Sequence, residues 1–167
     1  LGASINYPAR GAVTWKSIVG PNVASDALTH VASAGVLGGA LIVVGEDYGE
    51  GASVAQERTH AIALKSSMWM LDPRPNLASI ARLVEHAFEL SEASNTPVFM
   101  DLRIRACHVH GSFVAGANRA PALSTRKPQA EAASFDYEHI PHPPATYRQE
   151  KLKMNVRMPA ARNYIRE

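Results

Sequence analysis

The run Gly38-Gly39-Ala40-Leu41-Ile42-Val43-Val44-Gly45-Glu46-Asp47 constrains the fold more than any other stretch of this chain. Its unbroken apolar centre, rich in β-branched residues, reads as a strand covered on both faces. Such strands belong to parallel sheets with helices above and below. The run ends in two adjacent carboxylates. Upstream, Lys16-Ser17-Ile18-Val19-Gly20-Pro21-Asn22-Val23-Ala24 reads as a strand that breaks into a Gly-Pro-Asn turn and opens a helix. In an open parallel sheet both ends fall on the carboxyl edge, where such folds bind ligands.

The remaining periodicity agrees. Residues 11–15 predict a strand bounded by glycine. Val23, Ala27, Leu28, Val31 and Ala34 recur at helical spacing, with Asn22 placed as N-cap and Gly35 as stop. Ser53, with Gln56 three residues on, predicts a second helix opened by a capping box. Residues 68–71 predict a third strand, stopped by Asp72-Pro73-Arg74-Pro75. Leu77, Ile80, Val84, Ala87, Phe88 and Ser91 form one face of the clearest helix, and Arg82, Glu85, Glu89 and Glu92 the other. Asn95-Thr96-Pro97 ends it, and residues 98–104 predict a fourth strand.

Strands alternating with helices specify an α/β fold: a three-layer parallel sheet with helices on both faces. Residues 1–110 form the expected domain and residues 111–135 a linker without periodicity. Residues 136–167 are expected to form an irregular C-terminal arm, extended over 137–144 with a short basic helix over 145–155.

Composition narrows the function. The hydrophobic share of 46% and charged share of 19% are those of an ordinary globular domain. A net charge of +2, without aromatic interleaving of the basic residues, gives no reason to expect a nucleic-acid partner. The single cysteine, Cys107, excludes an internal disulfide and suits a reducing cytoplasm, the expected location. No apolar run approaches the roughly 20 residues of a membrane span, so no membrane partner is expected. Leu1-Gly2-Ala3-Ser4 opens without an initiator methionine or a signal pattern, and the expectation is a piece of a longer protein.

No phosphate-binding loop, dinucleotide fingerprint or nucleophile elbow is present. Cys107, His108 and His110 crowd together, but their spacing matches no standard zinc pattern, and strand alternation would turn Cys107 and His108 to opposite faces. They read as a buried thiol with surface histidines. Glu46 and Asp47 suit acid–base chemistry, a cation, or capping of loop amides, but adjacent residues point apart. Lys16, Ser17 and Asn22 suit either a positive pocket for an anion or polar ring, or a solvated lysine beside a plain N-cap. Glu57, Arg58 and His60 fall in the first turns of the second expected helix.

Trp15-Lys16-Ser17-Ile18-Val19-Gly20-Pro21-Asn22-Val23-Ala24, then Glu46-Asp47-Tyr48-Gly49, then Ser53, Gln56 and Glu57 form an ordered series. Leu71-Asp72-Pro73, Ala87-Phe88-Glu89-Leu90-Ser91-Glu92 and Pro97-Val98 extend it, so that it covers residues 11–111. The series resembles the pyrimidine-binding domain of thiamine-diphosphate-dependent 2-oxoacid:ferredoxin oxidoreductases, most closely the indolepyruvate type's alpha subunit. Pro21 stands where that family has Leu, Tyr48 where it has Pro, and Ala52-Ser53-Val54 where it has a Ser-Ser-Gln core.

The resemblance implies the thiamine-diphosphate-binding fold and oxidative decarboxylation of a 2-oxoacid, an aryl-pyruvate such as indolepyruvate, to acyl-CoA. It implies thiamine diphosphate as cofactor, with the diphosphate and Mg2+ held by another domain. Iron–sulfur clusters in other domains or subunits would pass electrons to ferredoxin, and coenzyme A would take the acyl group. The remaining domains or subunits are expected partners, in a homo- or hetero-oligomer. On this resemblance Lys16, Ser17, Gly20 and Asn22 would line the aminopyrimidine or substrate side. Asp47, Ser53, Gln56 and Glu57 would shape the neighbouring loop and its contact with the partner domain. The activating glutamate is expected upstream of Leu1, so no catalytic residue and no metal ligand is assigned, and the piece alone is expected to be inactive. The altered polar loop supports an alternative, a degenerate non-catalytic domain used for subunit assembly. An unrelated α/β domain binding a nucleotide or metal is the third reading.

Overall fold

Among the described residues, the apolar run becomes the second of four parallel strands. The structure is a computed structural model that describes residues 9–47, 49, 53, 55–117 and 136–167. Its strands are β1 (Gly11–Lys16), β2 (Ala40–Glu46), β3 (Trp69–Leu71) and β4 (Val98–Arg103), in the spatial order β1-β2-β4-β3. Helical segments connect them: α1 (Gly20–Val23), α2 (Ser25–Ala34), α3 (Thr59–Ser66) and α4 (Leu77–Ser94). The parallel α/β sheet expected from the alternation is present.

Register sets the two faces. Val44 of β2 pairs with Asp101 of β4, and Glu46 with Arg103. Because side chains alternate along a strand, Ile42, Val44 and Phe99 share one face and pack with Leu28 and Ala32 of α2 and Ala63 of α3. Leu41, Val98 and Met100 share the other and pack with Ala87 and Leu90 of α4. β2 is therefore covered on both sides, as its unbroken apolar sequence requires. Gly20 permits the first turn, since a Cβ there would lie 2.1 Å from Trp15 Cγ.

Several local expectations are corrected. Asn22 does not cap a helix: it lies inside α1, and its Nδ2 donates to Ile18 O at 2.9 Å. The box at Ser53 and Gln56 does not open α3, which starts at Thr59. Its orphan Thr59 N–H instead donates to the Glu46 carboxylate at 2.6 Å, so the cap comes from the end of a strand. β4 ends at Arg103, where the chain turns into the single helical turn α5 (Ile104–Cys107). Strand alternation therefore does not apply to Cys107 and His108, and Cys107 is exposed rather than buried. Glu92, on the polar face of α4 as expected, accepts from Arg10 at 2.6 and 2.9 Å.

The C-terminal region is helical rather than irregular. Residues 137–144 fold into turns instead of extending. Then α6 (Ala145–Leu152), a π-helical stretch (Lys153–Arg157) and α7 (Met158–Arg166) follow without a break. The extra residue per turn in the π stretch carries the buried Lys153 and Arg157. The Arg157 guanidinium donates to Ala32 O at 3.2 Å, Ser33 O at 2.5 Å, Asn95 O at 3.4 Å and Gln149 O at 3.2 Å. It thereby satisfies carbonyls at the C-terminus of α2 that no helical N–H can reach. Ala161 of α7 is fully buried in the cluster beside α4, and Tyr164 donates to Glu89 at 2.7 Å. Residues 111–117 have no regular structure, and the rest of the expected linker lies outside the described residues. Among the described residues no helix is long and apolar enough to cross a membrane.

Arg157→Met keeps the aliphatic stem but strands those carbonyls. Chemical denaturation should show a loss of about 2–4 kcal/mol, the scale of a few buried hydrogen-bond acceptors left unpaired. A loss below about 0.5 kcal/mol, the level of a surface substitution, would mean that the C-terminal helices do not depend on this side chain.

Candidate functional site at the carboxyl edge

Two groups of polar residues collect at the carboxyl ends of β1, β2 and β4, on opposite faces of the sheet. The first begins with Lys16, the last residue of β1, and Asp47, the first after β2. Lys16 Nζ donates to Asp47 Oδ2 at 2.8 Å, and the Ser53 hydroxyl donates to Asp47 Oδ1. Lys16 and then Ser53 hold the Asp47 carboxyl below the usual aspartate range. Gln56 ties the same loop down by accepting from Gly49 N and donating to Ser53 O. Beside this network lies a cavity of about 370 Å³, with Trp15, Leu102 and Ile104 among its lining and Lys16, Asp47 and His108 at its polar rim. Cys107 also lines it. Partial desolvation against the cavity wall, then the charges of Asp101 and Asp47, push its thiol upward, away from the reactive thiolate.

The second group lies on the α2–α3 face. Glu46 continues the row of Ile42 and Val44, and Asp101 continues the row of Phe99, so both carboxyls sit at the end of that apolar layer. They are 1% and 0% exposed. Glu46 Oε1 accepts from Thr59 N, whereas Glu46 Oε2 and both Asp101 oxygens have no hydrogen-bond partner. Burial, then contact with Glu46, pushes the Asp101 carboxyl up to about 8, so at neutral pH the pair holds a proton rather than two full charges. His60, the second residue of α3, joins them: one ligand atom from each of the three residues lies within 4.8 Å of the others.

The residues singled out from sequence thus divide. Lys16, Asp47, Ser53 and Gln56 meet in one network. Ser17 is buried with its N–H on Gly45 O at 3.1 Å, Gly20 is packed on Trp15, and Asn22 turns back on Ile18. Glu57 precedes α3, with its Oε2 buried and without a hydrogen-bond partner. Tyr48 and the Ala52 and Val54 positions of the altered loop lie outside the described residues. Asp101 escaped sequence reasoning. Its signal was an acid inside the apolar run Val98-Phe99-Met100, where a covered strand has no ordinary use for a charge.

In an NMR pH titration Asp47 should titrate below the ordinary aspartate range, and Lys16→Met should move it upward. Because the folded value is the lower one, the pair's stabilisation is present above the unfolded value and is lost as pH falls through the folded one. Lys16→Met should therefore flatten the acid side of the stability profile. An Asp47 that titrates identically in both proteins would contradict the pairing.

Sequence comparison places this geometry beside known proteins. No protein-family model matches the chain, and no solved structure matches it. Curated relatives named indolepyruvate oxidoreductase subunit IorA do. The relative from Pyrococcus horikoshii is 31% identical over 113 residues, 68% of this chain and 17% of that protein. The one from Pyrococcus abyssi is 32% identical with the same coverage. The one from Methanothermobacter marburgensis is 34% identical over 107 residues, 64% of this chain and 17% of that protein. The chain spans about a sixth of the length of these relatives. It is a homologue of one segment of indolepyruvate oxidoreductase subunit IorA.

Proposed function

We propose that this chain is the pyrimidine-side wall of a thiamine-diphosphate site in a 2-oxoacid:ferredoxin oxidoreductase acting on indolepyruvate or a similar aryl-pyruvate. The observation that carries the reading is its similarity to IorA subunits, which are named for indolepyruvate oxidation. The edge cavity fits the part assigned to it. A flat heteroaromatic ring with a polar rim suits an apolar floor of Val43, Leu102 and Ile104 beside Lys16 and Asp47. Bound there, thiamine diphosphate would supply the carbanion chemistry of oxoacid decarboxylation, with its diphosphate and Mg2+ held by another domain.

The chain's own residues would orient and enclose. Asp47, fixed by Lys16 and Ser53, presents a carboxylate of set direction at the ring's edge. The apolar floor excludes water from one face of the ring. Gln56 holds the loop closed through Gly49 and Ser53. Electrons would leave through iron–sulfur clusters in other domains to ferredoxin, with coenzyme A accepting the acyl group in the cytoplasm. A second reading, a non-catalytic assembly domain, draws on the apolar surface of the β1–α1 turn, where Val19 and Val23 are 62% and 83% exposed.

The test uses the protein assembled with its remaining domains or subunits. Asp47→Asn and Leu102→Ala should each raise the thiamine diphosphate concentration for half-maximal oxoacid-dependent reduction of an electron acceptor. The expected rise is about tenfold, the equivalent of about 1.4 kcal/mol from one charge-assisted bond or one well-packed side chain. Subunit assembly should be intact in both. Unchanged cofactor dependence in an active enzyme would remove this cavity from the cofactor site. No thiamine-dependent activity, with assembly lost on Val23→Asp, would favour the assembly reading.

A further inference from the structure

Glu46, His60 and Asp101 come from three different elements, β2, α3 and β4, and converge at the end of the α2–α3 layer, on the face of the sheet opposite Lys16. Nearly complete burial leaves Glu46 Oε2, Asp101 Oδ1 and Asp101 Oδ2 with neither solvent nor a hydrogen-bond donor. Thr59 adds a further buried oxygen, Oγ1, also without a partner, on the turn whose N–H holds Glu46. Such groups are costly unless something satisfies them. One shared proton bridges a single oxygen of each carboxyl and leaves the other Asp101 oxygen without a partner. A divalent cation faces all three ligands at once and cancels two carboxylate charges.

We infer that Glu46, His60 and Asp101 form a binding site for a divalent transition-metal ion of the zinc class. The geometry carries this: ligand atoms within 4.8 Å of one another need only a small contraction to share one ion. The donor set chooses the class, since an imidazole nitrogen with two carboxylates suits zinc and its neighbours better than magnesium or calcium. Occupancy pins the N-terminus of α3 to the ends of two central strands. The loop that carries Asp47, Ser53 and Gln56 runs from Glu46 to Thr59 and His60, so the ion clamps both of its ends. The site is separate from the Mg2+ expected at the cofactor diphosphate, and the inference stands whether or not the thiamine reading does.

The experiment is metal analysis of the purified protein, followed by chelation and titration with ZnCl2 under thermal melting. One zinc per chain is expected. At a concentration hundredfold above the dissociation constant, the melting temperature should rise by about 5–10 °C. MgCl2 should give no comparable rise. Asp101→Asn and His60→Gln, each near-isosteric, should weaken zinc at least about tenfold, while Cys107→Ser binds as before. Cobalt-substituted protein should show d–d absorption without a thiolate charge-transfer band, a readout independent of stability. Absence of metal with no melting shift, an equal response to magnesium, or binding that survives Asp101→Asn but is lost with Cys107→Ser would overturn the assignment.

Discussion

The parallel register between β2 and β4 is the constraint on which the rest of the molecule depends. It places Val44 beside Asp101 and Glu46 beside Arg103. Since side chains alternate with a period of two, a slip of one residue would turn every buried side chain of the slipped strand to the other face. Were β2 to slip against β4, Ile42 and Val44 would leave the α2–α3 layer and Leu41 would leave the α4 layer, while Phe99, Val98 and Met100 kept theirs. Both layers are apolar, so burial alone does not choose between registers. The end of the sheet does. This register brings the two buried carboxyls, Glu46 and Asp101, to the same end of the same face, within reach of the N-terminus of α3, and a one-residue slip would part them.

The adjacent pair Glu46-Asp47 turns that register into two different environments. Glu46 is the last residue of the strand and faces inward, holding Thr59 N. Asp47 has left the ladder and faces the cavity, holding Lys16 and Ser53. One peptide unit therefore separates a carboxylate at the bottom of an apolar layer from one kept ionised at a wet rim. Opposite shifts follow from opposite surroundings: the buried partner Asp101 is driven toward its neutral form, and Asp47 is held in its charged form.

What the sequence revealed and what it hid divide along the range of the deciding interaction. β2, β4 and α4 were legible because the signal is local: a covered apolar run or a 3.6-residue stripe. The start of α3 was not, because its cap is Glu46, thirteen residues back along a strand end, while Ser53 and Gln56 spend their hydrogen bonds on the preceding loop. The C-terminal helices were read as an irregular arm with only a short basic helix. Their large apolar residues Leu152, Met154, Val156 and Ile165 are exposed rather than gathered on one buried stripe, and their anchor, Arg157, finds its partners in α2, more than a hundred residues away. Cys107 was misjudged because β4 stops at Arg103 and the chain turns helical before the thiol. At the rim, sequence named Lys16 and Asp47 but not their bond, and it counted Ser17, Gly20 and Asn22 as lining when packing and backbone contacts claim them.

That bond changes what the rim can attract. An unpaired Lys16 would give the edge a net positive charge and make it a site for phosphate or another anion. Paired at 2.8 Å with an ionised Asp47, it presents a dipole with little net charge, beside a floor of Val43, Leu102 and Ile104. Such a surface discriminates against an anion, which would have to outcompete an intramolecular carboxylate already in place. It accommodates a neutral ring that offers both a donor and an acceptor along one edge, because the ring can address Lys16 and Asp47 without separating them. Between the two ligands that a lone lysine left open, the pairing favours the polar ring. The same argument leaves any diphosphate to be held by groups elsewhere, as the proposed function requires.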